Sequence, residues 1–221
     1  LTIKPGETLA VVGPTGSGKS TLIRLLVRFY DVNDGMIFLD GEDINRYSSG
    51  VLRQRIGVVL QDFHIFSGSI LENIRLGNPA TSRADAIRAA DAVQATPFIE
   101  RLPEGFDTHL NERGQNLSQG ERQLLAFARV LVADPEILVL DEATASIDTQ
   151  TEAIVQSALE TLMQGRTAII IAHRLQTIQS ADRIVVLKHG EIREVGRHEE
   201  LMAAKGIYYT LSQLQFQEVI Q

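Results

Sequence analysis

The 221-residue chain contains no cysteine, which excludes disulfides and thiolate metal sites and is compatible with a reducing compartment. Its five histidines are scattered, so no zinc site is expected. Apolar runs stop at about six residues, far short of the roughly 20 that cross a bilayer as a helix, so the chain is not expected to span a membrane by itself. Positive charge is scarce: 21 basic against 28 acidic residues leave a net charge of −7, which disfavours an electrostatic grip on nucleic acid or anionic lipid. The opening "LTIKPGETLAVVG" has no initiator methionine and no signal or transit-like segment, and the expectation is an excised piece of something longer. Internal repeats, low-complexity tracts and sustained heptads are also missing.

What is there suits one compact unit with two lobes, since 44% hydrophobic content at this length supports a substantial core. Short Val- and Ile-rich runs without alternation fit strands buried on both faces of a parallel sheet. Four stand out: "TLAVV", "IGVVL", "ILVL" and "TAIIIA". Each is followed at once by a residue with chemical use: Gly13, Gln61, the pair Asp141 and Glu142, and His173. Polar residues can simply mark where strands stop, but parallel strands would gather all four sets at one sheet edge, where open α/β sheets bind ligands.

The first set is the phosphate loop "GPTGSGKST", which matches G-x-x-x-x-G-K-[ST]. Gly13, Thr15, Gly16, Ser17, Gly18, Lys19, Ser20 and Thr21 are the predicted phosphate-binding residues. Gly16 and Gly18 let the backbone curl around an anion, so that N–H groups and the positive end of the following helix point at it. Lys19 adds a mobile positive charge for the β and γ phosphates, and the Ser20 hydroxyl suits Mg²⁺. Leu22, Leu25, Leu26 and Phe29 recur at helical spacing after the loop, which predicts a helix reaching Phe29. Asp141 suits a Mg²⁺ contact, because hard cations take oxygen ligands, and Glu142 can polarise a water for in-line attack. His173 is read as a γ-phosphate contact, against the alternative of an ordinary satisfied histidine. Gln61, a single amide after an apolar strand, is a further candidate whose role in phosphate and Mg²⁺ binding is implied only by the resemblance given below.

After Gln61 the texture turns helical. Ser82 with Asp85 resembles a capping box, Thr96-Pro97 suggests a cap followed by a first-turn proline, and "LPEG" suggests a stop. A core lobe over about 1–70 and 134–195, an inserted helical lobe over about 71–133 and a helical tail over about 196–221 are expected. In that tail Tyr208, Leu211 and Leu214 share one helical spacing. "NDG" and "HGE" suggest hairpin turns, hence some antiparallel strand. Ser118 with Glu121 three places on, ahead of Leu124, Leu125, Phe127, Ala128 and Leu131, predicts a second capping box and an amphipathic helix with free N–H groups at its start.

Together these motifs resemble the nucleotide-binding domain of an ABC transporter, over essentially the whole chain. In order stand the phosphate loop, Gln61, the signature segment "LSQGERQ", "ILVLDEAT", "ASID" ending in Asp148 at the D-loop position, and the switch histidine His173 in "IAHRL". The resemblance implies a P-loop NTPase core with a mostly parallel sheet, antiparallel β elements and an inserted helical lobe. It also implies an ATPase using ATP and Mg²⁺, with Glu142 and His173 catalytic and Ser20, Gln61 and Asp141 at the metal. Two nucleotide-binding domains, as a homo- or heterodimer, are expected to face head to tail, with Ser118, Gln119, Gly120 and Glu121 completing the partner's ATP site. "LRQRIGVVLQDFHIFSGSILENI", "ERG" before the signature and the closing "GRHEEL" imply the exporter branch. There the region after Gln61 and the "ERG" segment face a transmembrane domain, N-terminal in the same polypeptide, on the cytoplasmic face of a plasma or bacterial inner membrane.

Two features depart from the family pattern. The usual signature is L-S-G-G-Q, whereas Gln119 and Glu121 stand here at its first glycine and its glutamine. Glu121 favours the capping box but repels a phosphate, and Arg122 is expected to offset part of that charge. The adenine-stacking aromatic of the family lies upstream of "LTIKPGE", before Leu1. Rival readings are a free-standing importer ATPase, a soluble ATP-switched clamp and a translation-factor type. The clamp's coiled coils or zinc modules and the translation factor's basic linkers have no counterpart in the sequence.

Overall fold

The computed structural model describes residues 1–60, 64–76, 78–141, 149–172 and 175–219. In chain order the strands are β1 (Thr8–Val12), β2 (Phe38–Leu39), β3 (Glu42–Asp43), β4 (Ile56–Val59), β5 (Gly68–Ser69), β6 (His109–Leu110), β7 (Ile137–Asp141), β8 (Thr167–Ile171), β9 (Arg183–Lys188) and β10 (Glu191–Gly196). The helices are α1 (Lys19–Leu26), α2 (Ser49–Arg55), α3 (Ile70–Arg75), α4 (Arg83–Ala92), α5 (Thr96–Ile99), α6 (Gln119–Ala133), α7 (Thr149–Met163), α8 (Leu175–Gln179), α9 (His198–Ala204) and α10 (Ile207–Val219). Two compact units divide the chain: Leu1–Val58, Glu136–Ala143 and Arg166–Gln221 form the first, Val59–Pro135 and Thr144–Gly165 the second.

The first unit is built on a sheet. Among the described residues six strands join in the order β10-β9-β1-β8-β7-β4, with β1 parallel to both β8 and β9, and β7 parallel to β8. The four expected strands are all present, and the mostly parallel sheet is borne out. β9 is a fifth buried run, which the reading of four strands passed over although "IVVL" has the same texture. Leu9, Val11, Ile169, Val185 and Leu187 form one buried face, and Leu22 and Leu26 of α1 pack against it. β10 runs antiparallel to β9 across the "HGE" turn, where His189 and Gly190 both have positive φ, as a tight hairpin requires. The other hairpin, β2–β3, turns at Asp40-Gly41 rather than at "NDG". The "NDG" stretch is a plain turn closed by the Met36 N–H donating to the Asn33 carbonyl at 3.3 Å.

Helix α1 is shorter than its apolar spacing predicts. It ends in a Schellman motif: Phe29 N–H donates to Arg24 O at 2.8 Å and Arg28 N–H to Leu25 O at 3.1 Å, with Arg28 left-handed at φ 51°. Phe29 is therefore exposed, a correction to its place on the stripe. In α10, Tyr208 is buried as expected, but Leu214 is exposed.

The second unit is helical, with the short pair β5–β6. Ile70, Ile74, Ala86, Ala90, Leu124, Leu125, Phe127, Ala128, Val155 and Leu159 are among its buried side chains. Ser82 does cap α4, accepting from Asp85 N–H at 3.1 Å, but the reciprocal half of the box is absent. The Asp85 carboxylate, one methylene shorter than a glutamate, takes the Ser82 hydroxyl instead. Thr96 is the first residue of α5 and not its cap, which is Ala95.

Candidate functional site

The phosphate loop leaves β1 at Val12. Gly13 has φ 155°, and a Cβ there would lie 2.2 Å from the Leu187 carbonyl oxygen of β9, so only glycine lets the chain pass. Gly16 (φ 77°) and Gly18 (φ 104°) complete the curl. Gly18 caps α1 without a side-chain acceptor, which leaves the first N–H groups of the helix open to an anion. Ser17 N–H closes the turn onto Pro14 O at 3.1 Å, and Gly190 N–H, from the β9–β10 hairpin, donates to Ser17 O at 2.9 Å. The Ser17 hydroxyl is buried without a hydrogen-bond partner.

The Lys19 ammonium donates to Gly13 O at 2.7 Å and Pro14 O at 3.1 Å. Burial pushes its pKa below the ordinary lysine value, and the Asp141 carboxylate pulls the other way. That long-range attraction follows from register: Asp141 pairs with Ile171 and Ile171 with Val11, so Asp141 ends β7 at the same sheet edge at which β1 delivers Gly13. Ser20 and Thr21, like Thr15 and Gly16, are exposed, whereas Asp141 is half-buried. Ser20 and Asp141 are hard oxygen donors at one edge, a pair that fits Mg²⁺ held largely by a nucleotide. Gln61, Glu142, Asp148 and His173 lie outside the described residues.

In the second unit α6 opens as its sequence predicts. The Ser118 hydroxyl accepts from Glu121 N–H at 3.2 Å, and the Glu121 carboxylate accepts from Ser118 N–H at 2.8 Å. The box is complete, with Ser118 exposed, Gln119 half-buried and Gly120 buried. Arg122 makes no ion pair with Glu121: its guanidinium donates to Leu117 O at 3.3 Å. The ion pair of Glu121 is instead with Arg101, at 3.9 Å. A further box, not among the sequence expectations, opens α3. Ser69 and Glu72 cap α3 reciprocally, and "SILE" ahead of Asn73 and Ile74 was its signal.

Residues 1–145 match the family model described as ABC transporter. The chain belongs to the ABC transporter family. Over 221 residues this ABC domain is 53% identical to the uncharacterised ABC transporter ATP-binding protein YknV of Bacillus subtilis, covering 100% of the chain and 37% of the relative. It is 52% identical to an ATP-dependent lipid A-core flippase of Syntrophus aciditrophicus, covering 99% and 36% respectively. Among solved structures it matches a bacterial Atm1-family ABC exporter with ATP bound at 44% identity and a TM-score of 0.89, over 96% of the chain and 37% of that protein. The ABC domain thus spans about a third of the length of the curated relatives it matches. Within the described residues no helix is long and apolar enough to cross a membrane.

Proposed function

We propose that the chain is the Mg²⁺-dependent ATP-hydrolysing module of an ABC exporter, working on the cytoplasmic face of a plasma or bacterial inner membrane beside a transmembrane domain of the same polypeptide. The observation that supports this reading is the sheet edge itself, at which β1 leads into the glycine loop with half-buried Lys19 and β7 ends in Asp141, in a domain of ATP-binding relatives.

In this reading Gly13, Thr15, Gly16, Ser17, Gly18, Lys19, Ser20 and Thr21 hold the phosphates, and Ser20, Asp141 and Gln61 hold Mg²⁺. ATP supplies the scissile phosphoryl group, and Mg²⁺ neutralises charge on it. Glu142 takes a proton from the attacking water, and His173 orients the terminal phosphate. Ser118, Gln119 and Gly120, with Glu121 behind them, complete the partner's site, and Asp148 belongs to the same dimer contact. The free N–H groups at the start of α6 need an acceptor, and a triphosphate needs more donors than one loop provides.

Two variants test the assignment. Lys19→Ala is expected to lose nucleotide affinity at least about tenfold, read by titration with a fluorescent ATP analogue. Glu142→Gln is expected to bind ATP, accumulate as a dimer and lose turnover by about a hundredfold or more. Ordinary steady-state hydrolysis by Glu142→Gln would remove that residue from its role.

A further inference from the structure

Helix α6 runs from the signature segment to Arg129 ten residues on, about 15 Å along its axis. There the half-buried guanidinium has neutral hydrogen-bond partners among the described residues. Nε donates to Asn73 O at 2.9 Å, Nη1 to His64 O at 2.9 Å and Nη2 to Asn73 Oδ1 at 3.0 Å. The Phe66 ring lies under the group, 5.7 Å from Cζ, within cation–π reach. Desolvation holds the guanidinium pKa below its ordinary value. Only a planar fork reaches three acceptors and a ring at once, which a lysine ammonium does not.

Asn73, 1% exposed, passes the contact on. Its Oδ1 also accepts from Phe66 N–H at 3.0 Å, and its Nδ2 donates to Phe66 O at 2.9 Å and Ser69 O at 3.1 Å. From the other side Arg113, in the "ERG" segment, donates its N–H to Ile65 O at 3.0 Å. The Arg129 side chain therefore hydrogen-bonds the stretch from His64 to Asn73 to α6, beside the apolar packing of α3. That stretch and the end of α3 present Phe66 and Leu76, 49% and 51% exposed, to the outside.

We infer that Arg129 is a positioning residue: it makes α6 and segment 64–73 move as one piece, so that a load on the signature end of the helix reaches the exposed apolar side chains of that segment. This deepens the proposed function and rests on its premise that a second chain presses on Ser118–Gly120.

Hydrogen exchange of the Glu142→Gln chain, with and without ATP and Mg²⁺, tests the link. In that parent ATP is expected to slow exchange about fivefold or more both at 117–122 and at 64–73. With Arg129→Lys added, 117–122 should still respond and 64–73 should not. A purely structural Arg129 would raise exchange in 64–73 equally with and without nucleotide, leaving its ATP response intact, and that result overturns the proposal. Absence of any response in the parent removes the dimer reading and this inference together. Should Arg129→Lys fail to fold, the half-exposed Phe66→Leu takes its place. It is expected to halve the response of 64–73, and an unchanged response overturns the link.

Discussion

Gly190 N–H donates to the carbonyl oxygen of Ser17 at 2.9 Å, so the turn of the β9–β10 hairpin braces the phosphate loop from outside the loop's own sequence. The strand leading into that turn also sets the Leu187 carbonyl against Gly13. A β-carbon at Gly13 would force the loop off this support. Gly13→Ala is expected to cost a few kcal/mol of stability, about what a steric clash in a packed site costs, and to weaken ATP binding at least about tenfold. Urea unfolding and nucleotide titration measure the two losses, and unchanged ATP affinity would show that the brace does not shape the loop.

Glu121 already spends its carboxylate on Ser118 N–H at 2.8 Å. Glutamine keeps an oxygen for that bond and removes the charge that opposes a phosphate, at the loss of the charge on the cap and of a surface ion pair with Arg101, the latter of the kind worth about 0–1 kcal/mol. ATP-driven dimerisation of Glu121→Gln, followed by sedimentation, should be equal to wild type or modestly tighter. A marked loss contradicts this account of the signature.

Acid should weaken the helical unit through its caps. Glu72 has its carboxyl held below the ordinary value of 4.5, first by the Ser69 N–H and next by the Ser69 hydroxyl. A folded pKa below the unfolded one means that the unfolded chain binds the proton better. The stabilisation is thus complete above about pH 4.5 and is lost as pH falls through the folded value. Glu72→Gln removes this dependence: its denaturation midpoint should lie below wild type at neutral pH and converge on it in acid. Parallel midpoint curves would refute the assignment.

In the C-terminal segment the Tyr208 hydroxyl lies 2.6 Å from His198 Nδ1, and burial pushes the phenol up to about 12. Tyr208→Phe keeps the ring and removes the hydroxyl partner of His198 Nδ1, leaving the Gln179 contact at Nε2. A loss of about 1 kcal/mol is expected in urea unfolding, with nucleotide affinity unchanged because Tyr208 is not among the phosphate-loop residues.

Much of the sheet and of the loop was legible because the signals are local. Short unbroken β-branched runs such as "TAIII" fit buried strands between turns, and the glycines at Gly16 and Gly18 mark positive φ. Ser118 and Glu121 sit three apart, and the box follows from that spacing. Helix ends were less legible, because the residue in the left-handed C′ position is usually glycine. Here Arg28 (φ 51°) and Gln94 (φ 58°) take it. Arg28 holds that conformation while its guanidinium donates to Tyr47 O at 2.8 Å and Ile44 O at 3.3 Å. Gln94 does so with its amide on Ser157 Oγ at 2.9 Å. Those partners are 16 to 63 residues away in sequence, so no local window contains the reason. The brace from Gly190 and the Arg129–Asn73 contact are long-range in the same way.

Lys19 carries a last consequence. Its ammonium already donates to two main-chain oxygens of the turn it belongs to, so one of its three N–H donors is left for an incoming triphosphate, which meets a cation held in place. The charge a nucleotide meets is then positioned by the loop itself, and a chain lacking Lys19 also loses the tie that shapes its own turn. Comparing the nucleotide-free forms by spectroscopy would separate the charge a nucleotide feels from the shape it finds.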